Sequence, residues 1–168
     1  MDKREALEKL LDAYSHSYDL SREVEAEGTV YPAAAHFYLR DEHYLVRRDK
    51  KFYATEQHDY TYFYLADHLD AETLRQQIER SRAAGLKEIK PHKEHMCSYV
   101  TLVILADTID PEAKKLIKRT RFQKNFRLAL HGWMEYHIAA MECSTLSFLS
   151  NPAGKVARKT LESNFGAK

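Results

Sequence analysis

Two pairs of acidic and imidazole side chains occur at a spacing of two residues, Glu56 with His58 and Glu135 with His137. Side chains two positions apart on a β-strand lie on the same face of a sheet. A carboxylate beside an imidazole can share a proton or hold a cation, so each pair is a candidate catalytic acid/base group. A polar face of an edge strand gives the same pattern, and this second interpretation is favoured for both pairs.

Three potential metal ligands lie close together in the sequence, at His92, His95 and Cys97. Imidazole and thiolate groups are good zinc ligands, but a structural zinc site normally takes a second ligand pair of similar spacing. No such pair is visible, and Cys97 opens an apolar segment in which it would pack as a small hydrophobic residue. A divalent metal at this segment is therefore a hypothesis, and no cofactor is predicted.

Basic residues concentrate after Asp110-Pro111, a capping residue followed by a first-turn proline that predicts a helix start. Lys114, Lys118 and Arg121 would share one stripe of that helix and could lie along phosphates. Such a stripe is more often the solvated side of an amphipathic helix. Nucleic acid or another polyanion is therefore a possible but not a favoured partner.

The overall composition is that of one globular domain. The chain has 168 residues, 44% of them hydrophobic and 30% charged, which excludes disorder and fits a single domain over 1–168. No apolar run approaches the roughly 20 residues that a membrane-spanning helix needs. With only Cys97 and Cys143, and no secretory signal, we expect reduced, buried thiols and a cytoplasmic location.

The two halves of the chain carry opposite charge. Residues 1–70 hold 9 basic and 15 acidic side chains, whereas residues 71–168 hold 17 and 10. This asymmetry could indicate an anionic partner for the basic half, but attraction between the halves within one fold is the favoured explanation.

Hydrophobic periodicity predicts the order helix, three-strand meander, helix, strand, helix, strands, helix. The predicted segments are a helix through Tyr18, a connector at Glu23–Gly28, strands within 34–65 with a turn at Asp41-Glu42, a helix from Asp70 to Gly85, a strand at 98–106, strands at 126–131 and 133–143, and a helix from Asn151-Pro152. The uniformly apolar segment at 98–106 should be central, with Val103 and Leu105 buried. The fold class is α+β, with a single mixed, largely antiparallel sheet flanked by about four helices.

Two resemblances accompany this pattern. The segment Phe126–Tyr136 resembles an uncharacterised family of small bacterial proteins, which implies no particular activity. The element order also resembles the core of the PD-(D/E)xK nucleases, which hold a divalent cation between an acid on the second strand and acid-x-Lys on the third. Here Asp41 and Asp49 flank the second predicted strand and Glu56-x-His58 lies on the third, but the lysine and the first proline are missing.

The favoured function is that of a non-enzymatic, cytoplasmic binding or interaction domain that forms a homo-oligomer. The alternative, from a different class, is a divalent-metal-dependent nuclease or phosphodiesterase-like enzyme that uses Asp49, Glu56 and His58.

Overall fold

The structure, a computed structural model, describes residues 1–44, 52–93 and 95–166, with only the backbone at 41–44, 52–54 and 96. Four helices and one sheet make up this described part of the chain. The elements are α1 (Lys3–Ser15), β1 (Asp19–Ala26), β2 (Thr29–Tyr44), β3 (Phe52–Leu69), α2 (Ala71–Glu88), β4 (His95–Ile109), α3 (Pro111–Arg119), β5 (Gln123–Asn125), β6 (Trp133–Glu142), β7 (Ser147–Ser150) and α4 (Lys155–Phe165).

The sheet is mixed, and its strand order is β1-β2-β3-β4-β6-β5, with β7 also pairing with β6. Strands β1, β2 and β3 form the antiparallel meander, while β3, β4 and β6 run parallel to one another. Strands β5 and β7 pair with β6 in the antiparallel direction. The predicted α+β class with a mixed sheet is confirmed, and its centre consists of the three parallel strands.

The two faces of the sheet are covered by different helices. Helices α1 and α4 pack on the face that carries Phe63, Val103 and Met141. Helices α2 and α3 pack on the opposite face, against the side chains that include Leu102 and Ile104. Alternate residues of β4 are therefore buried on both sides, which explains why the segment is apolar without alternation.

An aspartate precedes each of the first three helices. The side chain of Asp2, which the sequence analysis did not identify, accepts hydrogen bonds from the backbone N–H groups of Arg4 and Glu5 at the start of α1. Asp70 accepts from the N–H of Thr73 at the start of α2. Helix α3 begins at Pro111 after Asp110, as predicted, but the Asp110 side chain makes no capping hydrogen bond. None of the described helices is long and apolar enough to cross a membrane.

Several predicted boundaries in the meander are wrong. The charged segment at Glu23–Gly28 was expected to be a connector, but its first part belongs to β1 and only the Glu27-Gly28 corner turns. The predicted turn at Asp41-Glu42 lies within β2, and β3 continues to Leu69 as one strand. Long strands with polar side chains on one face resemble a series of turns in sequence, because turn residues and exposed strand residues have similar composition.

Three other expectations also differ from the structure. Residues 126–131 form a turn, not a strand, and Arg127, Leu128 and Ala129 all have positive φ, of 48°, 55° and 67°. Helix α2 continues three residues past Gly85, where the absence of a side chain lets the helix approach Val100 closely. Helix α4 begins at Lys155, since the backbone N–H groups of Ile138 and Gly154 both bind the Asn151 side chain in the preceding turn.

The predicted core and the predicted thiol state are confirmed. Val103 and Leu105 are 1% and 0% exposed. Cys97 and Cys143 are free and buried, and burial raises the pKa of both thiols.

The contribution of β4 to stability can be tested with two leucines. Leu105→Ala should lower the free energy of unfolding by about 2–5 kcal/mol, because the change leaves a cavity in a fully buried layer. The same change at Leu128, which is 95% exposed, should cost less than about 0.5 kcal/mol. Urea unfolding followed by circular dichroism measures both values, and equal losses would contradict the central position of β4.

Candidate functional site

The parallel register places polar side chains in two neighbouring rows across β3, β4 and β6. Asp59 pairs with Tyr99, and Tyr99 pairs with Glu135. Two residues further along each strand, Thr61 pairs with Thr101, and Thr101 pairs with His137. Both rows occupy the sheet face that α1 and α4 cover, because these positions alternate with residues that face α2.

These rows form the floor of a cleft of about 620 Å³. One wall is the end of α1 and the residues that follow it, and the other is α4 with the turn before it. Phe37 of β2, which pairs with Asp59, closes the side. The lining residues are Ala13, Tyr14, Ser17, Tyr18, Phe37, Gln57, Asp59, Tyr99, Thr101, Glu135, His137, Ala153, Val156, Ala157 and Thr160.

Asp59 is bound by three hydroxyl groups. Tyr18 donates its phenolic O–H to Oδ2 at 2.7 Å. Thr61 and Thr101 donate to Oδ1 at 3.2 and 3.0 Å. Burial raises the pKa of Asp59, and the hydrogen bonds from Tyr18, Thr101 and Thr61 together with the nearby His137 only partly oppose this shift. The carboxyl group is therefore biased toward its protonated form.

Glu135 and His137 form the second polar group of the cleft. His137 Nε2 lies 2.8 Å from Glu135 Oε1, and the imidazole ring stacks on Tyr99 with ring centroids 4.7 Å apart. His137 is 9% exposed, so its ring orientation is fixed by packing as well as by the hydrogen bond. Within the described residues, the second oxygen of Glu135 has no hydrogen-bond donor, which leaves it available to a ligand.

The charged side chains in the lining of the cleft are mainly acidic. Among the described residues that line the cleft there are two carboxyl groups and one imidazole, but no lysine or arginine. Four aromatic rings also line the cleft, and the Tyr18 ring contacts those of Tyr14 and Phe37. The cleft therefore presents hydrogen-bond acceptors and ring faces, a combination that favours positive charge over negative charge.

The other predicted pair, Glu56 and His58, lies outside the cleft on the opposite face of β3. Glu56 contacts His92 Nε2 at 2.7 Å and Arg40 at 3.1 Å. His58 Nδ1 lies 3.0 Å from His36 Nε2, and Tyr60 is a further neighbour. Burial and the nearby His36 lower the pKa of His58. The structure thus places the two Glu-x-His pairs in separate clusters, and Asp49 lies outside the described residues.

The predicted metal ligands are each held in a separate contact. His92 is hydrogen-bonded to Glu56. The two ring nitrogens of His95 make different hydrogen bonds, Nδ1 with the backbone carbonyl of His131 and Nε2 with the hydroxyl of Ser98. Cys97 is buried beside Tyr99. No group of three or more His, Cys, Asp or Glu residues with the geometry to hold a metal ion occurs in the described part of the chain.

The predicted basic stripe is divided by local contacts. Lys114 forms an ion pair of 2.9 Å with the nearly buried Glu142. Arg121 donates to the carbonyl oxygens of Lys118 and Thr120. Lys118 is exposed. None of these three residues is among those that line the cleft.

Asp59, Tyr18 and Thr101 are the site residues that the sequence analysis missed. The available signal was Asp59 itself, an acidic residue inside an aromatic strand between His58 and Tyr60. Charged residues are rarely buried in the middle of a central strand unless they have a partner. Tyr18 and Thr101 could not be found in the same way, because they lie 41 and 42 positions away from Asp59 in the sequence.

Fold and cleft together define an α+β domain with an acceptor-rich cleft of ligand size on the face of a mixed sheet that α1 and α4 cover. The chain belongs to the family described as a domain of unknown function (DUF8052), whose model matches residues 2–163. This match confirms the predicted membership of an uncharacterised family. Neither the curated proteins nor the solved structures that were compared with the chain give a match.

The shifted Asp59 pKa predicts a dependence of stability on pH. Because the folded-state pKa is above the unfolded value, the folded protein binds more protons between the two values. The contribution of Asp59 to the free energy of unfolding therefore falls as the pH rises from about 4. Asp59→Asn removes this fall, so the variant should gain stability relative to the wild type as the pH increases.

Urea unfolding of both proteins between pH 4 and pH 8 measures this difference. Asp12→Asn, an exposed change on α1, is the matched control for the loss of a carboxyl group. A constant difference between wild type and Asp59→Asn over the whole range would show that the Asp59 carboxyl titrates alike in the folded and unfolded chains.

Proposed function

We propose that this chain is a non-enzymatic binding domain whose cleft takes a small organic cation. The observation that carries the proposal is a cleft of ligand size, lined by Asp59, Glu135 and aromatic rings, with no lysine or arginine among its described lining residues. Ligand pockets are typically concave, largely apolar and equipped with a few polar groups that fix orientation.

The charge of the cleft makes an anionic ligand a poorer fit than a cationic one. A phosphate or carboxylate ligand would have to give up its water without meeting a cationic side chain, and it would lie beside Glu135. Burying an uncompensated charge in this way is costly. A cationic group instead meets the available oxygen of Glu135 and the fourth acceptor position of Asp59, which three hydroxyl groups leave unused.

The aromatic lining supports the same ligand class. Tyr18 and Phe37 lie 5.5 Å apart between ring centroids at the side of the cleft, and Tyr99 lies in its floor. A cation over an aromatic face gains roughly 0.5–1 kcal/mol at an exposed site and about 2 kcal/mol when desolvated. An organic cation with an apolar body would use the alanine and valine side chains of the α4 wall as well.

Three fragments of equal shape test the charge preference. Benzylamine, benzyl alcohol and benzoate have similar size but carry positive, zero and negative charge at neutral pH. Titrations followed by amide chemical shifts should give the affinity order benzylamine, benzyl alcohol, benzoate. We expect at least a tenfold ratio between the first and the last, which is about 1.4 kcal/mol.

Variants of the floor test the location of binding. Glu135→Gln keeps the shape but removes a charge, and it should reduce the preference for benzylamine over benzyl alcohol about three- to tenfold, or about 0.7–1.4 kcal/mol. Asp12→Asn removes the same charge from an exposed position and should leave the preference unchanged. Equal binding of benzoate, or shifts confined to residues remote from β6 and α4, would refute the proposal.

A further inference from the structure

The cleft contains a buried acid without a permanent cationic partner. Within the described part of the chain, Asp59 accepts hydrogen bonds only from the neutral hydroxyl groups of Tyr18, Thr61 and Thr101. Its hydrogen-bond partners can satisfy either form of the carboxyl group, since a hydroxyl can donate to a carboxylate or accept from a carboxylic acid. The geometry therefore holds the group in place without fixing its charge.

We infer that ligand binding in this cleft is coupled to proton release: Asp59 holds a proton when the cleft is empty and loses it to solvent when an organic cation binds. This inference rests on the proposed function and adds to it the regulation of the same site. The exchange is balanced in charge, because one positive charge enters the cleft as one proton leaves it. No covalent bond of the ligand changes.

The side chains that face Asp59 from each neighbouring helix or strand are compatible with this exchange. Helix α1 and its end contribute Tyr14 and Tyr18, and β2 contributes Phe37. Strand β4 contributes Tyr99 and Thr101, while β6 contributes the paired Glu135 and His137. From the α4 side the lining residues are Ala153, Val156, Ala157 and Thr160, none of which carries charge.

His137 is the one basic group of this lining, and it is already committed to Glu135. Its Nε2 lies 2.8 Å from the Glu135 carboxylate, so a proton there is compensated within the pair. Asp59 then remains as the group whose negative charge needs an external cation. The raised pKa of Asp59, which burial causes, has the direction that this exchange requires.

The coupling has a quantitative consequence for affinity. Below the pKa of Asp59 in the empty protein, each ligand that binds must displace a proton, so affinity should rise about tenfold per pH unit, which corresponds to 1.36 kcal/mol. Above that pKa the carboxyl is already ionised, and the affinity should be constant. The curve of log affinity against pH therefore rises between the pKa of Asp59 in the complex and its pKa in the empty protein, and it is level outside that interval.

Phenyltrimethylammonium is the probe for this experiment, because its positive charge does not change with pH. Its affinity for the wild-type chain is measured from pH 4.5 to pH 8 by chemical-shift titration. Protons released on saturation are measured in parallel by pH-stat titration of a concentrated, weakly buffered sample. We expect a rising affinity that levels off, with up to one proton released per ligand on the rising part.

Two substitutions assign the proton. Asp59→Asn should abolish both the release and the slope, whereas His137→Gln and the control Asp12→Asn should retain them. Loss of the coupling in His137→Gln with retention in Asp59→Asn would overturn the inference. Circular dichroism and thermal unfolding show whether each variant is folded, and the wild-type proton release tests the inference without any variant.

The outcomes separate this inference from the proposed function. If neither benzylamine nor phenyltrimethylammonium binds at any pH, the proposed cation-binding function fails. If the probes bind in the cleft with an affinity that does not depend on pH and without proton release, the cation site stands and the coupling is overturned.

Discussion

The parallel pairing of β3, β4 and β6 is the constraint on which the cleft depends. Its register brings Asp59, Tyr99 and Glu135 into one row and Thr61, Thr101 and His137 into the next, although the three strands are far apart in the sequence. A slip of one residue in any of these strands would move its polar side chains to the opposite face. The apolar side chains further along the same strands, such as Phe63, Val103 and Met141, prevent such a slip because their burial under α1 and α4 would be lost.

Strand β3 carries two polar clusters that are separated only by the thickness of the sheet. Gln57 and Asp59 line the cleft and Thr61 lies on the same sheet face, bound to Asp59, whereas Glu56, His58 and Tyr60 face the other side. The second cluster is formed by rings that lie parallel, with His36 and Tyr60 4.6 Å apart, and by the contacts of Glu56 with His92 and Arg40. Neighbouring residues in this sequence thus belong to different environments, so adjacent substitutions report on different parts of the molecule.

The sequence was sufficient for the fold class, the capped helix starts and the central strand, because these depend on local patterns. Asp70 binds a backbone N–H group of the first turn of α2, and Pro111 occupies the first turn of α3. The apolar segment around Leu105 needs cover on both faces wherever it lies. Only part of the cleft could be predicted from the sequence. Glu135 and His137 could be recognised as a pair from their spacing, but their alignment with Asp59 results from strand order and register, which no local pattern encodes. The left-handed backbone at Arg127–Ala129 was equally hidden, since residues of these types seldom adopt it.

The walls of the cleft come from opposite ends of the described chain. Tyr14 lies in the last turn of α1 and Tyr18 follows that helix, while Val156 and Thr160 belong to α4. Lys9 binds the carbonyl of Asn164 across 155 positions of sequence. During synthesis on the ribosome, α1 emerges long before its partner wall and before β6. The binding site therefore cannot assemble step by step as the chain emerges, and the apolar stripe of α1 has to wait for strands made later. Folding of such long-range contacts is slow compared with that of local ones, so the exposed stripe of the nascent chain is a natural target for molecular chaperones.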